Sequence, residues 1–208
     1  MVHTHLKPKE EILNLVEGIE SIFVIRCLQC AGLCGTGRYK TFMSIKEMLE
    51  EKGLTVTSDG DTSKVNSPCF LDDVLKKIEE EKTIIAEADA LGMLCCGAGV
   101  MSTKQVVDRY AEGIKVIPFC DTVGVGIFGK EVPTAEQTLL CSACSRCVLG
   151  ITEGVCPQAL CTKSLRKPCK KIEDLTETCE YDSAHSCVFY ELNQIGLLER
   201  MLAFDRDK

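Results

Sequence analysis

Eight cysteines fall between Cys141 and Cys187, and the residues between Ser142 and Ser186 show little apolar periodicity. Ordinary folding does not require that density of thiols. The chain holds 15 cysteines in all, an odd number. Its first residues, Met1 to Glu11, are polar and lack the apolar centre of an export signal. A disulfide framework belongs to oxidising compartments, so this reads as a cytoplasmic chain whose thiols bind metal.

The spacing says which metal chemistry to expect. Cys141-x2-Cys144-x2-Cys147 is followed by Cys156-Pro157, Cys161, Cys169, Cys179 and Cys187. Thiolate sulfur suits iron in clusters, and two-residue spacers let successive thiolates reach one cluster. The type of pattern is ferredoxin-like, although the gap from Cys147 to Cys156 is longer than in a ferredoxin. Eight thiolates match two [4Fe–4S] clusters by count. Four-cysteine zinc sites also use x2 spacers, usually as two separated pairs, and zinc stays open as the alternative.

Other classes are disfavoured. A net charge of −7 argues against a nucleic-acid binder. No apolar run approaches the roughly 20 residues that span a bilayer. Apolar residues make up 45%, enough for a buried core.

The N-terminal part alternates strand and helix. Lys9 to Glu20 reads as a helix, Ser21 to Arg26 as a buried strand, Lys40 to Lys52 as an amphipathic helix closed by Gly53, and Leu54 to Thr57 as a second strand. A polar loop runs to Ser67. A helix over Leu71 to Glu87, a strand over Ala90 to Leu94, a helix from Ser102 to Gly113 capped by Ser102 or Thr103, and a strand over Ile114 to Phe119 complete the pattern. This predicts an α/β fold: a four-stranded parallel sheet with crossover helices, of Rossmann or flavodoxin type, in the order 2-1-3-4. An α/β domain over 1–125 and a small, irregular cysteine-rich lobe with a C-terminal helix over 126–208 follow.

In such sheets ligands bind beyond the carboxyl ends of the strands, where the strand order reverses. Cys27-x2-Cys30-x3-Cys34 follows the first strand, and Cys96 follows the third. These four form a third candidate site, for a cluster or zinc, with Cys69 as the alternative fourth ligand. Buried thiols are the competing reading there, and Cys95 and Cys120 fit it best.

Several features read as carrying no chemistry. Gly124-Val-Gly126-Ile-Phe-Gly129 has the G-x-G-x-x-G form but follows the fourth strand, so the stretch 121–140 reads as a glycine connector. His3 and His5 read as part of a mobile tail, and His185 as a neighbour of cluster cysteines. Glu79 to Lys82 reads as a solvated helix face. The last helix, Val188 to Phe204, presents Phe189, Leu192, Ile195, Leu198 and Leu202 on one face, to cover the cluster lobe or meet a partner.

The run CSACSRCVLGITEGVCPQALC, with the later PC, TCEYDSAHSC and VFYEL, closely resembles the C-terminal domain family of methylenetetrahydrofolate reductase. CLQCAGLCGTG and LCCGAGV are similar to that family's first cysteine loop and third-strand turn. The chain departs from it in Lys167-Pro168-Cys169-Lys170-Lys171, where glycines are usual, and in Gly35-Thr36-Gly37-Arg38, where a double glycine is common. The resemblance implies a small iron–sulfur subunit of the acetogen type, in the Wood–Ljungdahl pathway of one-carbon metabolism. Such a subunit relays electrons to the flavin of a catalytic partner and binds neither flavin nor folate itself. Its donor would be a ferredoxin, a flavodoxin or another electron-transfer protein. The implied ligands are Cys27, Cys30, Cys34 and Cys96, then the eight cysteines from 141 to 187. A zinc-stabilised structural subunit and a redox partner in corrinoid methyl transfer are the competing functions.

Overall fold

SIFVIRC and ALGML are continuous apolar runs, as expected of strands covered on both faces. In the computed structural model, which describes residues 1–110, 113–126, 139–141 and 147–206, they are the two central strands of a parallel sheet. The chain divides into two units, Met1–Val123 and Gly124–Lys208.

The first unit opens with strand β1 (Val2–Leu6) and helix α1 (Lys9–Leu15). Next come β2 (Ser21–Cys27), the short helix α2 (Cys30–Cys34), α3 (Tyr39–Glu51), β3 (Thr55–Val56) and β4 (Lys64–Val65). Then follow α4 (Leu71–Glu80), α5 (Lys82–Ala86), β5 (Ala90–Leu94), α6 (Gly97–Tyr110), β6 (Lys115–Pro118) and β7 (Cys120–Gly126). The sheet order is β3-β2-β5-β6, all parallel, with β4 also pairing with the end of β2. Counting the expected strands, this is the 2-1-3-4 order.

Side-chain alternation splits the core into two layers. Ile22 and Val24 of β2 pack with Ile12, Phe42, Ile45 and Leu49 from α1 and α3. Phe23, Ile25 and Cys27 pack with Val74, Ile78, Val106 and Val107 from α4 and α6. The start of the sheet is fixed by Asp89, whose carboxylate accepts from the N–H groups of Glu20 and Ser21 and from the Ser21 hydroxyl. Those donors hold its pKa below the usual carboxylate value.

Several expectations need correction. The N-terminus is no tail: β1 neighbours β7, His5 is exposed, and His3 is buried. Its alternating histidines and threonine gave no apolar signal, because the strand is held by pairing and by the Thr4–Thr36 hydroxyl contact at 2.6 Å. The first helix stops at Leu15, short of Glu20, and the polar loop after Thr57 contains β4. The helix expected over 71–87 breaks at Glu81. Helix α6 begins at Gly97, five residues before Ser102, so Ser102 and Thr103 are buried interior residues, not caps. The first turn is instead held by the Val100 N–H on the Cys96 carbonyl and the Gly97 N–H on the Thr122 hydroxyl. The expected connector is partly strand: Gly124 and Gly126 lie in β7, while Gly129 and Pro133 lie outside the described residues.

The second unit contains β8 (Leu139–Cys141), antiparallel to the end of β7, then α7 (Pro157–Leu160), a 3-10 turn (Ile172–Asp174), α8 (Val188–Gln194) and α9 (Leu198–Arg206). The single final helix expected from the sequence is two. Gly196 has φ +72°, which ends α8 with a left-handed residue and leaves Ile195 58% exposed. Phe189, Leu192, Leu197, Leu198 and Met201 form the core of this unit with Val148. Among the described residues no helix is long and apolar enough to cross a membrane.

Candidate metal centres

The cysteines of the first unit gather at the carboxyl ends of its strands. Cys27 closes β2, and Cys95 and Cys96 follow β5, the strand beside it. Cys30 opens α2 one turn beyond Cys27. This turn folds tightly onto the strand end: a Cβ on Gly37 would lie 2.2 Å from the Cys27 carbonyl oxygen. The loop after β4 arrives from the other side. Leu28 N–H donates to the Val65 carbonyl, Gln29 Nε2 donates to Asn66 Oδ1 at 2.8 Å, and the Cys27 thiol points to the Asn66 carbonyl at 3.8 Å. Pro68, next to Cys69, packs on α6 so closely that a Cβ on Gly99 would lie 3.2 Å from its ring and 2.8 Å from Cys95 Sγ.

The electrostatics record the same neighbourhood. Burial pushes the Cys27 thiol up; the N–H groups of Ala31 and Gln29 oppose it, and the Cys96 and Cys30 thiols add to it. Desolvation raises Cys69 too, with Cys96 and Cys30 again among its neighbours. Cys34 stands apart: its thiol donates to the Val2 carbonyl at 3.5 Å. Cys95 is fully buried and its thiol is pushed well up by burial. Burial pushes Cys120 up to about 12, against a hydrogen bond with Thr36. Both have the character of inert core thiols.

Arg26 was not singled out in the sequence. It is 5% exposed, and its guanidinium donates to Ser63 Oγ at 3.0 Å, the Gly60 carbonyl at 2.9 Å and the Gly37 carbonyl at 3.4 Å. It therefore ties the turn after Cys34 to the loop leading to Cys69. A lone arginine at a strand end is the signal that sequence reading passed over.

In the second unit, one cavity is lined by Cys161, Cys169, Cys179 and Cys187, with Leu165, Val188 and Phe189 as its apolar wall. Local pairings build it. A bridge between Thr178 and Ser186, the Cys187 N–H on Glu177 and the Cys179 N–H on His185 form a hairpin with Cys179 and Cys187 on its arms. His185 shapes this hairpin's turn through its contact with Asp182 at 2.8 Å. Three contacts fasten the 162–170 loop to the hairpin. Thr162 Oγ1 lies 3.2 Å from Cys179 Sγ, Lys163 sits over the Tyr181 ring at 3.2 Å, and Lys170 pairs with Glu180 at 3.1 Å. The Thr162 hydroxyl, helped by the Tyr181 N–H, lowers the Cys179 thiol pKa.

The other four cysteines are partly in view. Cys141 ends β8, α7 lies against that strand, and Cys156 is the residue before α7. Cys147 is exposed, and Cys144 lies outside the described residues. Among the described residues, no three Cys, His, Asp or Glu side chains close on one point as a single ion requires.

Residues 120–204 match the model of the family described as "Methylene-tetrahydrofolate reductase C terminal". The match begins at Cys120, so it covers the whole second unit's cysteine series and leaves the parallel sheet before it. No curated protein and no solved structure matches the chain.

Proposed function

We propose that this chain is the electron-transfer component of a methylenetetrahydrofolate reductase system. Its second unit would hold two [4Fe–4S] clusters, one on Cys161, Cys169, Cys179 and Cys187, the other on Cys141, Cys144, Cys147 and Cys156. The observation that carries this reading is the cavity lined by the first four thiols, within the stretch that matches the reductase family.

The donor set suits iron: four sulfurs, an apolar wall on one side, and hydroxyl and N–H donors that favour the thiolate at Cys179. When bound, such a cluster supplies one-electron capacity. The chain's own part is to bind, orient and shield. Val188 and Phe189 keep water from one side, and the Lys170–Glu180 pair holds the loop bearing Cys169. The flavin and the folate belong to a catalytic partner, and a ferredoxin, a flavodoxin or a similar carrier is the donor.

Anaerobic purification of the full chain, alone and with a flavin-bearing reductase, tests this. Brown protein with at least about eight irons and eight sulfides per chain, bleached by dithionite, is the expected result. Mixing should then allow reduction of the partner's flavin. Colourless protein with stoichiometric zinc and no sulfide would overturn the reading in favour of a structural subunit. Capture of a cobalamin protein in place of the flavoprotein would overturn the assignment of partner.

A further inference from the structure

The chain carries 24 Lys and Arg against 31 Asp and Glu. Five of the basic residues nonetheless fall together in Lys163-Ser164-Leu165-Arg166-Lys167-Pro168-Cys169-Lys170-Lys171, with no acid among them. We infer that this loop is the docking site for a small acidic electron-carrier protein, which delivers its electron at Cys169. The inference rests on the proposed function, for which it names the point of entry.

The position of the sulfur is the first support. Cys169 is exposed, while Cys161, Cys179 and Cys187, which line the same cavity, are only partly so. The four-thiol set therefore reaches the surface at Cys169. Lys163, Lys167, Lys170 and Lys171 are exposed around it in sequence. A partner drawn to those charges is brought onto that sulfur.

The loop is also held in one shape. Leu165 packs against the core of the second unit, and the Ser164 N–H donates to the Cys161 carbonyl at 2.8 Å. Lys163 lies on the Tyr181 ring and Lys170 on Glu180. A charged face fixed in advance loses less freedom when a partner docks.

Internal pairing leaves much of the charge facing outward. Lys163 rests on a ring rather than an acid, and Lys171 meets Glu173 only at 4.0 Å, between side chains 79% and 71% exposed. The hairpin to which the loop is fastened is acidic in turn, with Glu177, Glu180 and Asp182. An acidic partner is drawn to the loop and repelled by the hairpin, which fixes its orientation. A long polyanion would run from the lysines onto those acids; a small carrier need not.

The step is a one-electron transfer. The reduced carrier is oxidised, the centre held by the four cavity thiols gains the electron, and no bond forms or breaks. Encounters of this kind bury little surface and gain their rate from electrostatic steering.

The test uses the full chain, purified anaerobically, with a strongly acidic two-cluster bacterial ferredoxin as the probe. Binding should weaken roughly tenfold or more between about 50 mM and about 300 mM salt. The double variant Lys167→Glu, Lys171→Glu alters neither the cavity lining nor the contacts that fasten the loop. It should keep its iron and sulfide and its reduction by dithionite, which needs no docking. Its Kd for the ferredoxin should rise roughly tenfold or more, and its reduction by the ferredoxin should slow in step. Carbodiimide cross-linking of the parent complex, read by mass spectrometry, needs no variant and should join ferredoxin carboxylates to lysines between 163 and 171. An unchanged Kd in the double variant, cross-links confined to other lysines, or a short oligonucleotide that binds the loop as tightly as the ferredoxin would each overturn the inference. If the chain holds no iron and no sulfide, the proposed function falls and takes this inference with it. If it holds both and dithionite reduces it, but the ferredoxin docks elsewhere, only this inference falls.

Discussion

Arg26 shows how much one side chain can organise. Its guanidinium is buried, and its named partners are a hydroxyl and a carbonyl on the loop leading to Cys69 and a carbonyl on the turn after Cys34. Arg26→Met leaves those acceptors without their donor. Urea denaturation of the metal-free chain should show a loss of about 2–4 kcal/mol, and Cys30 and Cys69 should alkylate faster in the variant. Cys120 gives a second test at this scale. Its folded pKa of about 12 lies above that of an unfolded thiol, near 8.5, so the native state holds its proton more tightly. The stability this gives is fully present below about pH 8.5 and is lost as pH rises toward 12. Cys120→Ala should flatten the fall of Tm over that window relative to the parent. Parallel slopes in the two proteins would show that the thiol does not titrate as described. The gathering of cysteines at strand ends was legible in the sequence, because Cys27, Cys95 and Cys96 each follow an apolar run that reads as a strand. Their grouping was less so. Where Cys34 and Cys69 come to lie depends on a five-residue helix and a loop, which spacing does not encode.

At the level of elements, Gly37 decides whether α2 can close on β2. An added Cβ would meet the Cys27 oxygen at 2.2 Å and the Gly32 nitrogen at 2.9 Å, both backbone atoms that cannot swing aside. Gly37→Ala should cost about 2–3 kcal/mol and speed alkylation of Cys30 in the metal-free chain. Gly53 is the control. It has φ +97° with open space around it, so Gly53→Ala should cost about 1 kcal/mol and leave the alkylation of Cys30 unchanged. A thermal melt and a thiol-alkylation rate on both variants distinguish steric closure from general loosening. Elements built on apolar period were readable from the sequence: β5 was placed residue for residue, and β2 to within one. Those that depend on tertiary pairing were missed. β1 carries His3, Thr4 and His5, and β4 is two residues long, so neither has a period of its own. The break at Gly196 was hidden because Ile195 keeps the apolar spacing across a turn that is not helical.

The whole molecule joins two ways of gaining order. The first unit has a sheet covered on both faces, with Phe23, Phe42, Leu91 and Phe119 fully buried. The second unit packs two short helices on loops whose many thiols lie near the surface. Its core is the small group around Phe189 and Leu198. If the proposed clusters bind there, their binding energy is folding energy. On the proposed reading, removing iron should therefore affect the two units differently. Anaerobic chelation followed by limited proteolysis should speed cleavage between Thr162 and Ser186 roughly tenfold or more, while fragments ending near Val123 persist. Leu198→Asp places a charge in the buried core of the second unit and should give the same cleavage pattern without chelation. Equal resistance with and without iron would mean that the hairpin carrying Cys179 and Cys187 is ordered by its own hydrogen bonds and the Lys170–Glu180 pair. The thiols would then be free for a centre that contributes function without contributing fold.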